Sequence, residues 1–207
     1  MTRTDLPCDP LTARACWPLY GSAGSRLIEQ AAAANLPAQA LMQRAGAGLA
    51  RLALAVAPHA AQTWVVAGPG NNGGDGLEAA LWLHRAGRHV GVTLLGHAAT
   101  LPADAAAALQ RAQQAGVEIR SDLPATALAA DDLLIDALFG LGLNRAPTGA
   151  AVAAIDWLNH GPAPVLAADL PSGLDADHGQ PIAVEHCVQA RWTLALLTLK
   201  PDRKSVV

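Results

Sequence analysis

Short apolar runs alternate with helical patterns through most of this chain, and that alternation limits the fold more than any other feature. Residues 63–67, 89–95, 117–119, 132–137, 165–168 and 192–197 read as strands, and residues 75–86, 103–115 and 150–158 carry helical periodicity between them. Strands separated by helices imply βαβ units, so the expected class is α/β, a three-layer α/β/α sandwich with a mainly parallel central sheet. Two helices are expected ahead of the first strand. One covers residues 25–36, with Ser25 as its cap and Leu27, Ile28 and Ala31 on one face. The other covers residues 38–57, where Leu41, Met42, Ala45, Leu49, Leu52 and Ala53 recur at helical spacing. Residues 1–20, which hold Pro7, Pro10 and Pro18, read as an irregular lead-in.

Composition narrows the partners. The 207 residues suit one domain with a substantial core. Hydrophobic residues make up 52% but aromatics only 3%, so Ala, Leu and Val must build that core, as suits helices laid on a buried parallel sheet. Fourteen Lys and Arg against 17 Asp and Glu leave a net charge of −3, with no basic cluster and few rings to stack on bases, which argues against nucleic acid. Cys8, Cys16 and Cys187 lack metal-type spacing and read as reduced thiols. No apolar stretch approaches the roughly 20 residues of a membrane helix, and residues 1–18 lack a secretory pattern. The expectation is a soluble cytoplasmic domain without membrane contact.

Ligands of parallel sheets bind outside the carboxyl ends of the strands. Three loops there carry chemistry. Gly68-Pro69-Gly70-Asn71-Asn72-Gly73-Gly74-Asp75-Gly76 follows the first strand and contains G-x-G-x-x-G, which lets backbone N–H groups approach phosphate. A dehydrogenase would also carry an acid about 20 residues further on, but Leu94-Leu95-Gly96-His97 has none. The plainer reading of this loop is a tight turn with Asp75 capping the next helix. The second loop begins at Asp136, a carboxylate at the end of an apolar strand that needs a partner or a cation. It continues through Gly140 and Gly142 to Arg145, which can clamp a phosphate or simply be solvated. The third loop, Asp169-Leu170-Pro171-Ser172-Gly173-Leu174-Asp175, is either part of a site or an Asx-type turn. Together the loops gather hard oxygen donors suited to a hard cation or a polar nucleotide, not to zinc or copper.

These three segments resemble the signatures of the NAD(P)H-hydrate epimerase (YjeF N-terminal domain) family, and Leu41-Met42-Gln43-Arg44-Ala45-Gly46 resembles its leading-helix signature. The likeness runs from about Arg26 to Pro201. It implies a Rossmann-like fold and an isomerase that interconverts the C6 epimers of hydrated NADH or NADPH, so that an ADP- or ATP-dependent dehydratase, fused or separate, can restore the nucleotide. By the resemblance, Asn71, Asn72, Gly73, Gly74 and Asp75 contact this substrate, as do Gly140, Leu141, Gly142, Leu143, Asn144, Arg145, Ala146 and Asp169. A potassium ion falls to Asn72, Asp136 and Ser172, and a homodimer is compatible with the family.

The chemistry expected is loss of the protonated C6 hydroxyl as water, assisted by the ring nitrogen, followed by re-addition to the opposite face. Asp169 is the expected acid–base residue, and Asp136 is structural or electrostatic. The competing readings are a non-catalytic nucleotide- or protein-binding module on the same fold and a Rossmann dehydrogenase or methyltransferase. Leu141 stands where the family commonly has Thr. The domain is expected over residues 1–201. Leu199-Lys200-Pro201 resembles the family's lysine–proline corner, but residues 202–207 depart from it and read like a translated sequencing adapter, hence a non-native or truncated tail.

Overall fold

The computed structural model describes residues 18–201, so Cys8, Cys16, most of the lead-in and the 202–207 tail lie outside the described residues. Two helices, α1 (Ser22–Ala33) and α2 (Ala40–Val56), precede the first strand. The alternating elements follow as β1 (Gln62–Ala67), α3 (Asn71–Arg85), β2 (His89–Leu94), α4 (Ala103–Gln114), β3 (Glu118–Arg120), β4 (Leu133–Ala137), α5 (Ala150–His160), β5 (Val165–Ala168) and β6 (Trp192–Leu194). All five pairings are parallel and the sheet order is β3-β2-β1-β4-β5-β6. The chain therefore builds outward from β1 to β3, then returns to lay β4 on the other side of β1. Ala67 and Ala137, which end β1 and β4, are register partners. Their two loops leave the sheet side by side at its switch point, where parallel sheets form crevices.

Alternate residues of each strand feed two cores. Val65 and Ala67 of β1 join α2, α3 and α4 on one face, while Trp64 and Val66 join Ile155 and Leu158 of α5 on the other. Small side chains such as Ala79, Ala80, Ala105, Ala108 and Ala112 are fully buried, which lets helices approach one another and the sheet closely. No helix among the described residues is long and apolar enough to cross a membrane.

Three expectations need correction. Helix α1 starts at Ser22, and Ser25 is a buried residue inside it, where its Oγ lies 2.7 Å from Thr198 Oγ1. The first turn is satisfied by a distant acid instead: Asp177 accepts from Ser22 N at 2.6 Å and from Ser22 Oγ at 2.9 Å. Of the expected apolar face, Leu27 and Ala31 are exposed and only Ile28 is half-buried. Helix α3 starts at Asn71, four residues before the expected position, and Asp75 is an interior residue, not its cap. Strand β6 stops at Leu194, because the segment beyond it turns back towards Asp169.

Candidate active site

Asp136 is the penultimate residue of β4, a strand whose five residues are all buried, and its carboxyl is fully enclosed. The loop after β5 meets it. Ser172 Oγ donates to Asp136 Oδ1 at 2.6 Å, Ser172 N to Oδ2 at 2.7 Å, and Leu138 N to Oδ1 at 3.2 Å. Burial pushes the Asp136 carboxyl up to about 6, and the bonds from Ser172 and Leu138 hold it from rising further. Ser172 Oγ also accepts from Phe139 N at 2.9 Å, so the second and third loops are locked together.

Asp169 sits directly after β5 in a left-handed conformation, φ 68°, which a non-glycine residue adopts only when its surroundings enforce it. The enforcement is visible. Lys200 Nζ donates to Asp169 Oδ1 and, at 2.6 Å, to Leu196 O, while Leu196 N donates to the same Oδ1 at 3.3 Å. Asp169 N is bonded to Leu194 O at 2.8 Å. The segment after β6 thus wraps the aspartate and commits one carboxylate oxygen. The other, Oδ2, faces the backbone of Gly140, where a Cβ would lie 2.8 Å from it and 3.4 Å from Asn72 Oδ1. Gly140 is the one residue type that lets these two side chains flank the loop.

Asn72, in the first turn of α3, has both Oδ1 and Nδ2 buried without a partner among the described residues. An unmet buried amide costs about 1–3 kcal/mol, so this one calls for a ligand. Spare acceptor capacity exists nearby. An ionised carboxylate offers about four lone-pair positions, and Asp136 uses three. Ser172 accepts one bond and donates one, leaving a lone pair. These oxygens fit a hard monovalent cation in kind, and Asn72, Asp136 and Ser172 are the residues that could hold it. Among the described residues no group of three or more His, Cys, Asp or Glu is placed to hold a metal ion.

A cavity of about 1060 Å³ opens at the switch point, at the upper end of ligand pockets. Asn71, Asn72, Asp75, Gly140, Leu141, Gly142, Leu143 and Asp169 line it. Gly73 and Gly74 do not. They are buried in α3, where a Cβ would fall 1.9 Å from Gly68 O and 2.5 Å from Met42 Cε, so their immediate role is close packing. Asn144, Arg145 and Ala146 are exposed beyond the lined stretch, and Asp136 and Ser172 lie beneath it. Helices α1 and α2 close the outer wall with Arg26, Glu29 and Arg44, which lie outside the three strand-end loops. Half-buried Asp75 has its carboxyl held well above the usual range, first by burial and then by the negative charges of Asp169, Glu29 and Glu78, with Lys200 opposing. Lys200 itself was visible in the sequence only as part of a lysine–proline corner, with nothing to show that it reaches Asp169.

Comparison with known proteins finds relatives over most of the chain. A family model described as "YjeF-related protein N-terminus" matches residues 38–202. An NAD(P)H-hydrate epimerase of Achromobacter xylosoxidans (strain A8) is 48% identical over 158 residues, covering 76% of this chain and 74% of the relative. One from Bordetella pertussis (strain Tohama I) is 46% identical over 160 residues, covering 76% and 69%. A bifunctional NAD(P)H-hydrate repair enzyme of Pyrobaculum aerophilum is 39% identical over 156 residues, covering 70% of this chain and 30% of the relative. The crystal structure of a yeast protein, YNL200c, superposes with a TM-score of 0.77 at 21% identity, over 89% of this chain and 82% of that one, and so shares the fold.

Proposed function

The chain belongs to the YjeF-related protein N-terminus family, and from that membership we propose that it inverts C6 of hydrated NADH and NADPH, as an isomerase of nicotinamide nucleotide repair. The observation that carries the reading is the cavity at the switch point, in whose wall Asn71, Asn72 and Asp75 of the first loop and Asp169 of the third stand together with the glycine-bearing stretch of the second. The substrate's contacts are Asn71, Asn72, Asp75, Gly140, Leu141, Gly142, Leu143, Asn144, Arg145, Ala146 and Asp169, and Gly73 and Gly74, buried in α3, reach it only through their backbone groups. The amino end of α3 supports a phosphate contact. Its N-cap, Gly70, has no capping side chain, so early backbone N–H groups remain to meet an anion. Arg145 is exposed at the rim, where it can add a charged contact.

Asp169 acts in acid–base chemistry at C6, through the carboxylate oxygen that Lys200 leaves open. The hydroxyl leaves as water, the ring nitrogen supplies the electron pair, and water returns on the other face. No electron transfer is involved. A potassium ion held by Asn72, Asp136 and Ser172 would supply a fixed positive charge beneath the loops. The product epimer is consumed by a dehydratase. The repair enzyme of Pyrobaculum aerophilum, of which this chain matches 30%, supports a fused or separate partner of that kind.

Turnover in water enriched in oxygen-18 tests the proposal against a binding-only module. An epimerase puts the label on C6 of both epimers faster than protein-free solution does. A module that merely binds retains the dinucleotide in calorimetry and adds nothing to the rate of label exchange.

A further inference from the structure

We propose that Asp75 is a second catalytic residue, the donor of the proton with which the C6 hydroxyl departs, while Asp169 receives the proton of the water that re-adds. The assignment rests on the epimerase reading above and deepens it.

Both carboxyls line one cavity but come from different elements, Asp75 from the second turn of α3 and Asp169 from the end of β5. Their surroundings are opposite. Asp169 is clasped through Oδ1 by the Lys200 ammonium and the Leu196 N–H, an arrangement that suits an anion and a proton acceptor. Asp75 receives no hydrogen bond and forms no ion pair among the described residues. Around it stand Glu78 on its own helix, Glu29 on α1 and Asp169. Asp104 of α4 lines the same cavity, as do Arg26 and Arg44 on its exposed outer wall. Two of these acids are paired with cations of their own, whereas Asp75 is not. Arg111 bonds to Glu78 and Gln39, and Lys200 bonds to Asp169. Burial first, and then the acids around it, favour the neutral form of this carboxyl, which has no cation of its own, so its affinity for a proton is raised. Two carboxyls in one site with divergent environments divide acid and base roles between them.

The step balances. Asp75 gives its proton to the C6 hydroxyl; the C6–O bond breaks as the ring nitrogen's lone pair forms a C=N bond, and water leaves. A water then adds to the opposite face of C6, the C=N pair returns to nitrogen, and the excess proton passes to Asp169 Oδ2. One water is lost and one gained, and one proton has moved from Asp75 to Asp169. The reverse conversion starts from that state, or cavity water carries the proton back.

Steady-state kinetics on each purified epimer of hydrated NADH, for the unmodified chain, Asp75→Asn and Asp75→Glu, tests the assignment. Asp75→Asn should lower kcat by roughly 10²–10⁴-fold with KM nearly unchanged, and Asp75→Glu should recover part of the loss. In the unmodified chain kcat should fall as pH rises and the donor is lost, a limb absent from the residual activity of Asp75→Asn. An unchanged kcat, or a loss confined to KM, overturns the proposal. If neither variant folds by circular dichroism, the unmodified chain decides: a kcat that shows no fall on the alkaline side, anywhere in the pH range over which the chain stays folded, overturns it. Failure of the unmodified chain to exceed the protein-free rate defeats the epimerase reading and this assignment together. An active chain with an unaffected Asp75→Asn removes only Asp75.

Discussion

Lys200 and Asp169 form an ion pair inside the protein, with side chains 1% and 9% exposed. They are 31 positions apart, and the pair ties the segment after β6 to the end of β5. Removing one partner of such a pair leaves an uncompensated buried charge, a loss of about 3–5 kcal/mol. Lys200→Met is therefore expected to lower the denaturant midpoint by that equivalent. A shift of less than about 1 kcal/mol, the value of an exposed pair, would mean that water reaches it.

Asp169→Asn keeps an oxygen acceptor for Lys200 but removes the countercharge. From sequence alone this substitution should leave the fold intact, and the buried ammonium adds a stability cost that its unfolding curve should reveal. Its epimerisation rate, corrected for the spontaneous reaction and for folded fraction, is expected to fall roughly 10²–10⁴-fold. A corrected rate equal to that of the unmodified chain would reduce Asp169 to a turn organiser and move attention to Asp136.

Gly140 and Gly142 separate packing from chemistry. A Cβ at Gly140 would lie 2.8 Å from Asp169 Oδ2, whereas at Gly142 nothing lies within 4 Å. Gly140→Ala should depress kcat strongly while the chain stays folded, and Gly142→Ala should change stability by no more than about 0.5 kcal/mol. Equal activities in the two variants would contradict the placement of Asp169 Oδ2 against that loop.

Potassium should raise both the melting temperature and the activity over buffers containing only a bulky organic cation. Asp136→Ala should weaken that dependence more than Asp136→Asn, which keeps one oxygen donor. Full activity in potassium-free buffer, unaltered when potassium is added, would count against Asn72, Asp136 and Ser172 as its holders.

Arg145 is exposed at the end of the loop. If it meets a substrate phosphate, Arg145→Ala raises KM and leaves kcat alone, and the effect shrinks with added salt. An unchanged KM marks it as a solvated arginine.

Where neighbours in the chain decide the structure, the sequence was legible. The apolar runs of β1, β4 and β5 stood within a residue of their observed limits, and a parallel sheet necessarily brings their three following loops to one edge. What escaped depends on distant partners. Gly73 and Gly74 look like loop because glycine is a poor helix former, but the close approach of Gly68, Met42 and Ala105 excludes any larger residue there and the helix runs through them. Ser22, not Ser25, opens α1 because Asp177 reaches it from 155 positions away. The same holds for Lys200 and for the left-handed turn at Asp169, whose causes lie beyond β6.

Inversion of C6 in this cavity is open to a direct measurement. The protein is incubated in potassium-containing buffer with a single purified epimer of hydrated NADH, and the two epimers are resolved by chromatography over time. Either epimer should converge on the same equilibrium mixture, far faster than in protein-free buffer, and Asp169→Asn should slow that convergence roughly 10²–10⁴-fold. Conversion at the protein-free rate, by a chain shown to be folded, would contradict it.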